Sequence, residues 1–483
     1  MAFICALLTY ISVVGAHFLT DSSSESFILL NVIVKKFKRA RNSSFSSFSD
    51  TTVNHASIKP SYCIYQKLYV KIISRLVLLS RYCLNTKDDA INLHRMLKGK
   101  IEIQNRVSID NIFEEKGVLG LIYTPGVAYV ATEISKNKDL IYDYTSKWNN
   151  VAIVCDGTRV LGLGNIGPEG ASPVMEGKSV LFKILGGINA FPLCIDIKDK
   201  EDIIKFVKAI QPVFGAINIE DIESPKVLEI VERLRNELQI PVFHDDQHGT
   251  AVITLAALIN ALRLLHKEID NIRVVVAGAG SAGYGIFRIL QEAGCKNIVV
   301  TDSLGAIYGN RVKGIDSQYK KEIADSTNPL ELNGSLGDVL RGADVFIGVS
   351  GKSNLLDKKM IVTMNKDPIV FALSNPDPEI FPSDAIKGGA RIVATGRSDF
   401  ANQINNAVVF PAILRALLDL RVKNLDEGML VSVATAIADM IDSTQLKYDY
   451  IIPKVNDPRL VSIVTDTLKD AITRHIEKKK QEK

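Results

Sequence analysis

The sequence predicts an α/β fold of two lobes in series, each built on a mostly parallel sheet. The chain of 483 residues, 47% of them hydrophobic, is long enough to form more than one buried core. From Asp88 onward, short β-branched runs alternate with helical stretches, a pattern typical of parallel sheets. A glycine-rich turn after residue 277 separates an apolar run from a helical stretch. We therefore predict an N-terminal α/β domain followed by a doubly wound, Rossmann-type domain.

The N-terminal lobe is predicted from three strand-like runs. These are VAIVC, AFPLCIDI and VFGAINI, at residues 151–155, 190–197 and 213–219. Helical stretches such as DKEDIIKFVKAI and PKVLEIVERLRNEL separate them, and such crossovers join parallel strands. We assign residues 88–248 to this domain.

The second lobe begins with a long apolar helix and a new series of strands. The stretch at 250–269 is apolar on most of its surface, which predicts a buried helix between the lobes. Strand-like runs IRVVVAGAG, KNIVVTD, GADVFIGVS and DPIVFALSNP follow. We assign residues 249–450 to this domain and residues 451–483 to a helical tail.

The first 87 residues differ in composition from the rest of the chain. They hold eleven Lys/Arg against three Asp/Glu, whereas the remainder is slightly acidic. An apolar start, a KKFKRAR run and a Ser-rich stretch are typical of a targeting extension, and we expect delivery to an organelle of mitochondrial or plastid type, or else a cytoplasmic location. A misassigned start codon or a lineage-specific surface extension is the alternative. We do not expect residues 61–83 to span a membrane, because their basic side chains are costly in lipid.

Two other classes of protein are disfavoured by composition. The chain beyond residue 87 has no stripe of basic and aromatic residues, so we expect no nucleic-acid partner. Its cysteines are scattered singly, without a spacing that indicates zinc or a disulfide framework: Cys5, Cys63, Cys83, Cys155, Cys194 and Cys295.

The glycine-rich turn has the features of a dinucleotide site. Gly278, Gly280 and Gly283 have the GxGxxG spacing between a strand and a helix, where backbone N–H groups and the helix N-terminus stabilise a pyrophosphate. Asp302 ends the next strand, at the distance expected for an acid that binds the adenosine ribose. Gly348, Ser350 and Gly351 end a further strand at the same edge. The cofactor is predicted to be NAD or NADP.

The choice between NAD and NADP stays open at this point. Asp302 favours the free 2′-hydroxyl of NAD, whereas Arg311, Lys313 or another nearby base could hold the 2′-phosphate of NADP.

Two pairs of acids follow strand-like runs in the N-terminal lobe. Glu220 and Asp221 follow FGAINI, and Asp245 and Asp246 follow the IPVF run. Because the carboxyl ends of parallel strands meet at one edge, these acids would repel one another unless a cation lay between them. Oxygen ligands suit Mg²⁺ or Mn²⁺. Glu220 and Asp221 can bind one ion only if the strand ends and bends there.

At these residues the sequence resembles the malic enzyme family, in its shorter bacterial form. The motifs that carry the resemblance extend from about Asp88 to the region near residue 450: YTPGVA, DGTRVLGLGNIGPEGASPVMEGK, IEDI, FHDDQHGTA, GAGSAG, ALSNPDPE and ATGRSDFANQINNAVVFPA. None of them covers residues 1–87. The resemblance implies oxidative decarboxylation of malate to pyruvate with NAD(P)⁺ and Mg²⁺ or Mn²⁺, by a homodimer or homotetramer.

The resemblance also implies roles for individual residues. It makes Lys178 the general base, with Asp245 in contact with it, and Tyr123 the general acid. It implies the following further assignments: metal ligands Glu220, Asp221 and Asp246; substrate contacts Arg159, Asn375 and Asn406; cofactor contacts Gly278, Gly280, Ser281, Ala282, Gly283, Asp302, Ser350, Gly351 and Asn375.

Two alternatives to this function stay open. The same residues would serve a relative that converts malate to lactate or one that prefers oxaloacetate, and product analysis separates these. A nucleotide-sensing or scaffolding protein would bind the dinucleotide without turnover.

Overall fold

The structure, a computed structural model, describes residues 87–104, 106, 118–160, 162–423 and 425–481. The predicted targeting extension lies outside these residues except for Lys87. The strands are β1 Asn150–Cys155, β2 Asn189–Cys194, β3 Ala216–Ile219, β4 Val242–His244, β5 Arg273–Ala277, β6 Asn297–Asp302, β7 Gly305–Ala306, β8 Val345–Gly348, β9 Ile369–Ala372 and β10 Ile392–Thr395.

The helices mostly lie between these strands. They are α1 Lys87–Leu97, α2 Val118–Ile122, α3 Gly126–Lys136, α4 Ile141–Tyr144, α5 Gly167–Gly186, α6 Lys200–Ile210, α7 Lys226–Glu237, α8 Thr250–Leu265, α9 Ser281–Glu292, α10 Gln318–Ser326, α11 Leu336–Leu340, α12 Lys358–Val362, α13 Pro382–Lys387, α14 Phe410–Leu420, α15 Glu427–Asp439 and α16 Leu460–Gln481. Short 3₁₀ turns at Lys138–Leu140, Ser146–Asn149, Gln211–Val213 and Asn406–Val408 and a π-helical turn at Asp245–Gly249 complete them.

The N-terminal lobe is built on a parallel sheet with the strand order β2-β1-β3-β4. Strand β1 is buried along its whole length, as expected for a strand covered by helices on both faces. The predicted strand at 213–219 is shorter in the structure, because the 3₁₀ turn Gln211–Val213, which contains Pro212, occupies its beginning.

The second lobe has a six-stranded sheet with the order β10-β9-β8-β5-β6-β7, in which only β7 is antiparallel to its neighbour. The strand order reverses direction at β5, which pairs with β6 on one side and β8 on the other. Ligands of doubly wound sheets bind at the carboxyl ends of the strands at such a reversal. The two-lobed α/β class with a Rossmann-type second domain is therefore confirmed.

Helix α8 lies in the hydrophobic core, where it packs against α9 and α15. The side chains from Ala251 to Leu258 along it are buried, and the buried Asn260 amide donates to the carbonyls of Ala438 and Ile451. The helix ends at Leu265, earlier than the predicted residue 269, because His266 adopts a left-handed conformation. The tail forms helix α16, which buries Val464 and Leu468. The domain limits themselves stay predictions.

Two helical stretches of the described chain are long and apolar enough to cross a membrane by length and composition alone. The stretch Asp245–Leu265 is 72% buried inside the protein, so it is a core helix. The stretch Val118–Lys136 contains both α2 and α3, with a break between Ile122 and Gly126.

Candidate active site

Three carboxylates converge where strands β3 and β4 end. Glu220, Asp221 and Asp246 each offer an oxygen, and the three oxygens lie within 4.8 Å of one another. Asp221 has a φ of +49°, so the chain bends directly after β3 and two consecutive side chains can face one point. The bend that the sequence required is therefore present. Two buried carboxylates and the half-buried Asp246 form a set of oxygen donors that fits a hard divalent cation such as Mg²⁺ or Mn²⁺.

Lys178 lies beside these acids, on helix α5. Its buried ammonium is 2.6 Å from Glu220 Oε1 and also donates to Asp245 Oδ2. The ammonium is 4.3 Å from the centroid of the Phe410 ring, a cation–π contact. Burial lowers the pKa of Lys178, but the carboxylates of Asp245 and Glu220 more than offset this and raise the pKa above its usual value. The charged form of Lys178 is thus stabilised.

The site has an excess of negative charge. Burial raises the pKa of Glu220 well above its usual range, and the neighbouring acids raise it further while Lys178 opposes them. Burial is also the main cause of the very low pKa of His248, whose Nδ1 accepts a hydrogen bond from the His244 backbone N–H at 3.2 Å. Four acids therefore surround one lysine, with the His244 ring 3.7 Å from Asp246, and a further cation would balance the acids.

One oxygen of the Asp245 carboxylate has no hydrogen-bond partner among the described residues. Asp245 Oδ1 is buried and unpaired, and it lies against Gly249. A Cβ added to Gly249 would be 1.9 Å from this oxygen, so only glycine leaves room for the carboxylate in its present position. The same Cβ would be 3.4 Å from Asn406 Cβ, which brings a predicted substrate residue of the second lobe next to the acid turn.

Two further predicted substrate residues lie where the lobes meet. A Cβ added to Gly351, at the end of β8, would be 2.6 Å from Arg159 Nη2. A Cβ added to Gly162 would be 2.4 Å from the carbonyl oxygen of Asn375. The loop that follows β1 is therefore in contact with the carboxyl ends of the second sheet. This arrangement places Arg159 and Asn375 at the cleft between the lobes.

Tyr123 lies apart from this group. It belongs to the short connection between α2 and α3 and is 67% exposed. Across the described residues, no hydrogen bond or ring contact joins Tyr123 to Lys178 or to the acids. The structure thus brings Lys178, Asp245 and the three clustered acids together and leaves the predicted general acid on the surface.

The glycine turn of the second lobe forms a cradle for a pyrophosphate. Strand β5 ends at Ala277, and Gly278 follows with a φ of +123°, which side chains rarely adopt. A Cβ on Gly283 would be 1.8 Å from the Gly278 carbonyl oxygen. Gly280 caps helix α9, whose first residues, Ser281 and Ala282, direct free backbone N–H groups toward the turn. The glycines leave space for the phosphates of a dinucleotide, and the helix N-terminus provides backbone N–H donors for them.

Helix α9, which begins at the dinucleotide turn, is in direct contact with the turn that carries Asp245 and Asp246. A Cβ on Gly285 of α9 would be 2.3 Å from the carbonyl oxygen of Gln247, which belongs to the π-helical turn Asp245–Gly249. Helix α9 therefore packs closely against the turn that carries two of the acids. The cofactor and acid sites are parts of one cleft.

The sequence did not single out Glu379, which organises the cofactor edge. This fully buried carboxylate accepts hydrogen bonds from the backbone N–H groups of Ser350 and Ser374 and from both hydroxyls. The Ser374 hydroxyl in turn accepts from the Gly351 N–H at 2.8 Å. Glu379 thereby holds the ends of β8 and β9 in one arrangement.

Asn218 was also missed. Its amide donates to Glu220 Oε2 at 2.9 Å and thus orients the carboxylate that Lys178 contacts on its other oxygen. It precedes Glu220 by two residues along the chain, and this spacing, which puts side chains on one face of a strand, was a signal that could have revealed it.

Comparison with known proteins gives close relatives of the chain. It is 47% identical over 388 residues to the bifunctional malic/malolactic enzyme of Bacillus subtilis, covering 80% of this chain and 93% of that protein. It is 47% identical over 390 residues to the NAD-dependent malic enzyme of Geobacillus stearothermophilus, covering 81% of this chain and 80% of that protein. The crystal structure of the NAD-dependent malic enzyme of Thermotoga maritima superposes with a TM-score of 0.75 at 46% identity, covering 79% of this chain and 98% of that one.

These comparisons correct the expected location. The curated relatives are bacterial malic enzymes, including NADP-dependent ones of Haemophilus influenzae and Escherichia coli. Bacteria have no mitochondria or plastids, so the prediction of an organellar protein is wrong. The basic composition on which that prediction rested belongs to residues outside the motifs that the relatives share.

Family models match both lobes. The malic enzyme N-terminal domain matches residues 99–235, and the malic enzyme NAD binding domain matches residues 247–471. The two matches follow the order of the two sheets and together cover most of the chain. With these matches and relatives at 47% identity, the chain belongs to the malic enzyme family and is an enzyme of that family.

Proposed function

We propose that this enzyme oxidises L-malate and decarboxylates it to pyruvate and CO₂, with NAD⁺ or NADP⁺ as oxidant and Mg²⁺ or Mn²⁺ as the required metal. The observation that carries the proposal is the position of Lys178 beside a cluster of oxygen ligands, Glu220, Asp221 and Asp246, in the cleft that also contains the glycine turn. The names of the relatives support the same substrate and both dinucleotides.

Lys178 acts as the general base in this proposal. Its amine accepts the proton of the malate C2 hydroxyl, which requires the neutral form of a side chain that the site now holds as a cation. Positive charge bound at Glu220 would offset the field that raises the lysine pKa and so favour the neutral form. Asp245 fixes the position of the amine through its ion pair.

The other residues bind the substrate and complete the proton transfers. Arg159 pairs with a malate carboxylate through its planar guanidinium, and Asn375 and Asn406 contact the substrate from the second lobe. Tyr123 delivers a proton to C3 after CO₂ has left. When bound, the dinucleotide would accept a hydride and the divalent cation would act as a Lewis acid.

We further propose that the enzyme is a homodimer or homotetramer. The side chains of Leu119, Leu121, Tyr123 and Tyr129 are exposed, and a second copy of the chain that covered them would remove this apolar surface from water. The role of Tyr123 requires that its segment lie against a Lys178 site, and pairing of two copies would provide that contact. Sedimentation analysis tests this, with Leu121→Glu expected to shift the assembly toward monomer.

The test of the proposed reaction is a product analysis. The purified full chain is supplied with malate and Mn²⁺ and with NAD⁺ and NADP⁺ separately, while reduced nicotinamide, pyruvate, lactate and oxaloacetate are measured. We expect reduced nicotinamide and pyruvate in equal amounts. Lactate without net reduced nicotinamide would indicate the malolactic alternative, and dinucleotide binding without turnover would indicate a sensor.

The assigned base is tested with a matched pair of variants. Lys178→Met should abolish malate oxidation and leave the Kd of the dinucleotide unchanged. Lys183→Met changes an exposed lysine on the same helix and should behave like the parent enzyme. Normal malate oxidation by Lys178→Met would refute the assignment of the base.

A further inference from the structure

Asp302 lies next to the glycine turn, one strand away. It is the last residue of β6, and the Gly278 N–H donates to the carbonyl of the preceding Thr301 at 2.9 Å. When a pyrophosphate binds at such a turn, the adenosine ribose reaches the carboxyl end of this neighbouring strand. Charged groups around Asp302 therefore determine whether a ribose 2′-hydroxyl or a 2′-phosphate is accepted.

Arg311 has no N–H left for a phosphate. Its Nη2 donates to both oxygens of Asp302, at 2.8 and 2.7 Å. Its Nη1 donates to the carbonyls of Gly305 and Ala306, and its Nε donates to the carbonyl of Lys313 at 2.8 Å. These five bonds use the five N–H donors of a guanidinium, and the side chain is only 6% exposed. Arg311 is thus a fixed part of the β6–β7 hairpin.

The Asp302 carboxylate can accept about one more hydrogen bond. Its Oδ1 accepts from the Leu304 N–H at 2.8 Å as well as from Arg311, and its Oδ2 accepts from Arg311. A carboxylate has about four acceptor positions, so about one remains for a hydroxyl. The two hydrogen bonds from Arg311 fix the orientation of this carboxylate, which suits it to accept a hydrogen bond from a ribose hydroxyl.

A second basic residue near Asp302, Lys320, is also paired. Lys320 Nζ is 3.6 Å from Asp302 Oδ2, 3.2 Å from Asp316 Oδ1 and 3.1 Å from the Gly314 carbonyl oxygen. Asp302, Asp316, Arg311 and Lys320 together carry no net charge. A 2′-phosphate carries nearly two negative charges and would lie beside the Asp302 carboxylate. Because these four residues have no excess positive charge, they would not offset the repulsion between the two anions.

We propose that the enzyme selects NAD⁺ over NADP⁺ at the adenosine ribose, with Asp302 as the specificity-determining residue and Arg311 as the residue that positions it. This inference rests on the proposed function for its dinucleotide, and it assigns Arg311 to the protein scaffold instead of to a phosphate.

The test is calorimetric titration of the full chain with NAD⁺ and with NADP⁺, without malate or metal. We expect NAD⁺ to bind at least about tenfold more tightly. Asp302→Asn should weaken NAD⁺ binding and reduce the ratio of the two Kd values about tenfold. Asp316→Asn removes the same charge from the same cluster without reaching the ribose and should leave the ratio within about twofold. Equal or tighter binding of NADP⁺ by the parent enzyme would overturn the proposal.

A second set of variants tests the role of Arg311. Arg311→Gln should weaken NAD⁺ binding in the parent enzyme but add little in the Asp302→Asn background, because its effect acts through that carboxylate. If Arg311→Gln only disturbed the fold, it would weaken NAD⁺ binding by a similar factor in the parent enzyme and in the Asp302→Asn background. If Arg311→Gln, Lys313→Ala or Lys320→Ala weakened NADP⁺ binding alone, that residue would be a phosphate ligand and the proposal would be wrong.

These titrations are independent of malate turnover. A reversed preference in an enzyme that makes pyruvate would refute only the choice of NAD⁺. Absence of malate oxidation with either dinucleotide, with NAD⁺ still bound more tightly, would refute only the proposed reaction.

Discussion

Replacing Lys178 by Met should destabilise the fold in a pH-dependent way. The variant keeps an apolar side chain of similar length beside Phe410 but leaves Glu220 and Asp245 without their cation. Removing one partner of a buried ion pair costs about 3–5 kcal/mol. For a folded unit of about 390 residues, an unfolding entropy of about 2.1 cal/mol/K per residue converts this to a fall in Tm of about 4–6 °C.

The pH dependence follows from the direction of the Glu220 pKa. Burial already raises it above the unfolded value, and loss of Lys178 removes the charge that opposes this shift. A group whose folded pKa is raised contributes stability below its unfolded pKa of about 4.3, and that stability is lost as pH rises through the folded pKa. The difference in Tm between parent and Lys178→Met should therefore increase from pH 5 to pH 8.

The assay is thermal unfolding by circular dichroism in metal-free buffer at several pH values. The exposed Lys183→Met control on the same helix should change stability by no more than about 0.5 kcal/mol. Added Mn²⁺ should restore part of the stability lost by Lys178→Met, because a cation then balances the acids. A Tm equal to that of the parent at pH 8 would refute the reasoning that the ammonium neutralises buried carboxylates.

Three other perturbations test separate parts of the cleft. Gly249→Ala would displace the Asp245 carboxylate and should reduce kcat about tenfold or more without changing dinucleotide Kd. Gly309→Ala, where the added Cβ would meet only ordinary van der Waals contacts, should have no effect in the same kinetic assay. Gly283→Ala would push against a carbonyl of the glycine turn, and calorimetry should show at least about tenfold weaker dinucleotide binding with Mn²⁺ binding retained. Glu379→Gln keeps the size of the side chain but turns an N–H₂ toward buried donors, which should cost about 1–3 kcal/mol in urea unfolding.

Much of the fold could be predicted because hydrophobic periodicity and glycine placement are local signals. Most strands of both lobes and the buried helix α8 follow from such patterns, whereas β7 and β10 were not predicted. Acids that directly follow parallel strands were expected to meet, and Glu220, Asp221 and Asp246 do lie together. The end of α8 was misjudged because the left-handed His266 has no strong sequence signature.

What could not be predicted depends on contacts between distant or non-periodic segments. The two hydrogen bonds from Arg311 to Asp302 depend on the geometry of the hairpin. The sequence alone therefore left the choice between NAD and NADP open. The buried position of Glu379 depends on how two strand ends pack. Tyr123 was expected near Lys178, but it lies on an exposed connection between α2 and α3, and no local sequence signal indicates this exposure.

The central claim is that Glu220, Asp221 and Asp246 hold one divalent cation beside Lys178. Titration of the full chain with Mn²⁺, followed by electron paramagnetic resonance of the free ion, tests it most directly. We expect one strong Mn²⁺ site per chain, weakened at least about tenfold in Glu220→Gln and in Asp246→Asn. Asp316→Asn, which alters an exposed acid far along the chain, should leave Mn²⁺ binding unchanged. Parent-like Mn²⁺ binding by both site variants would contradict the claim.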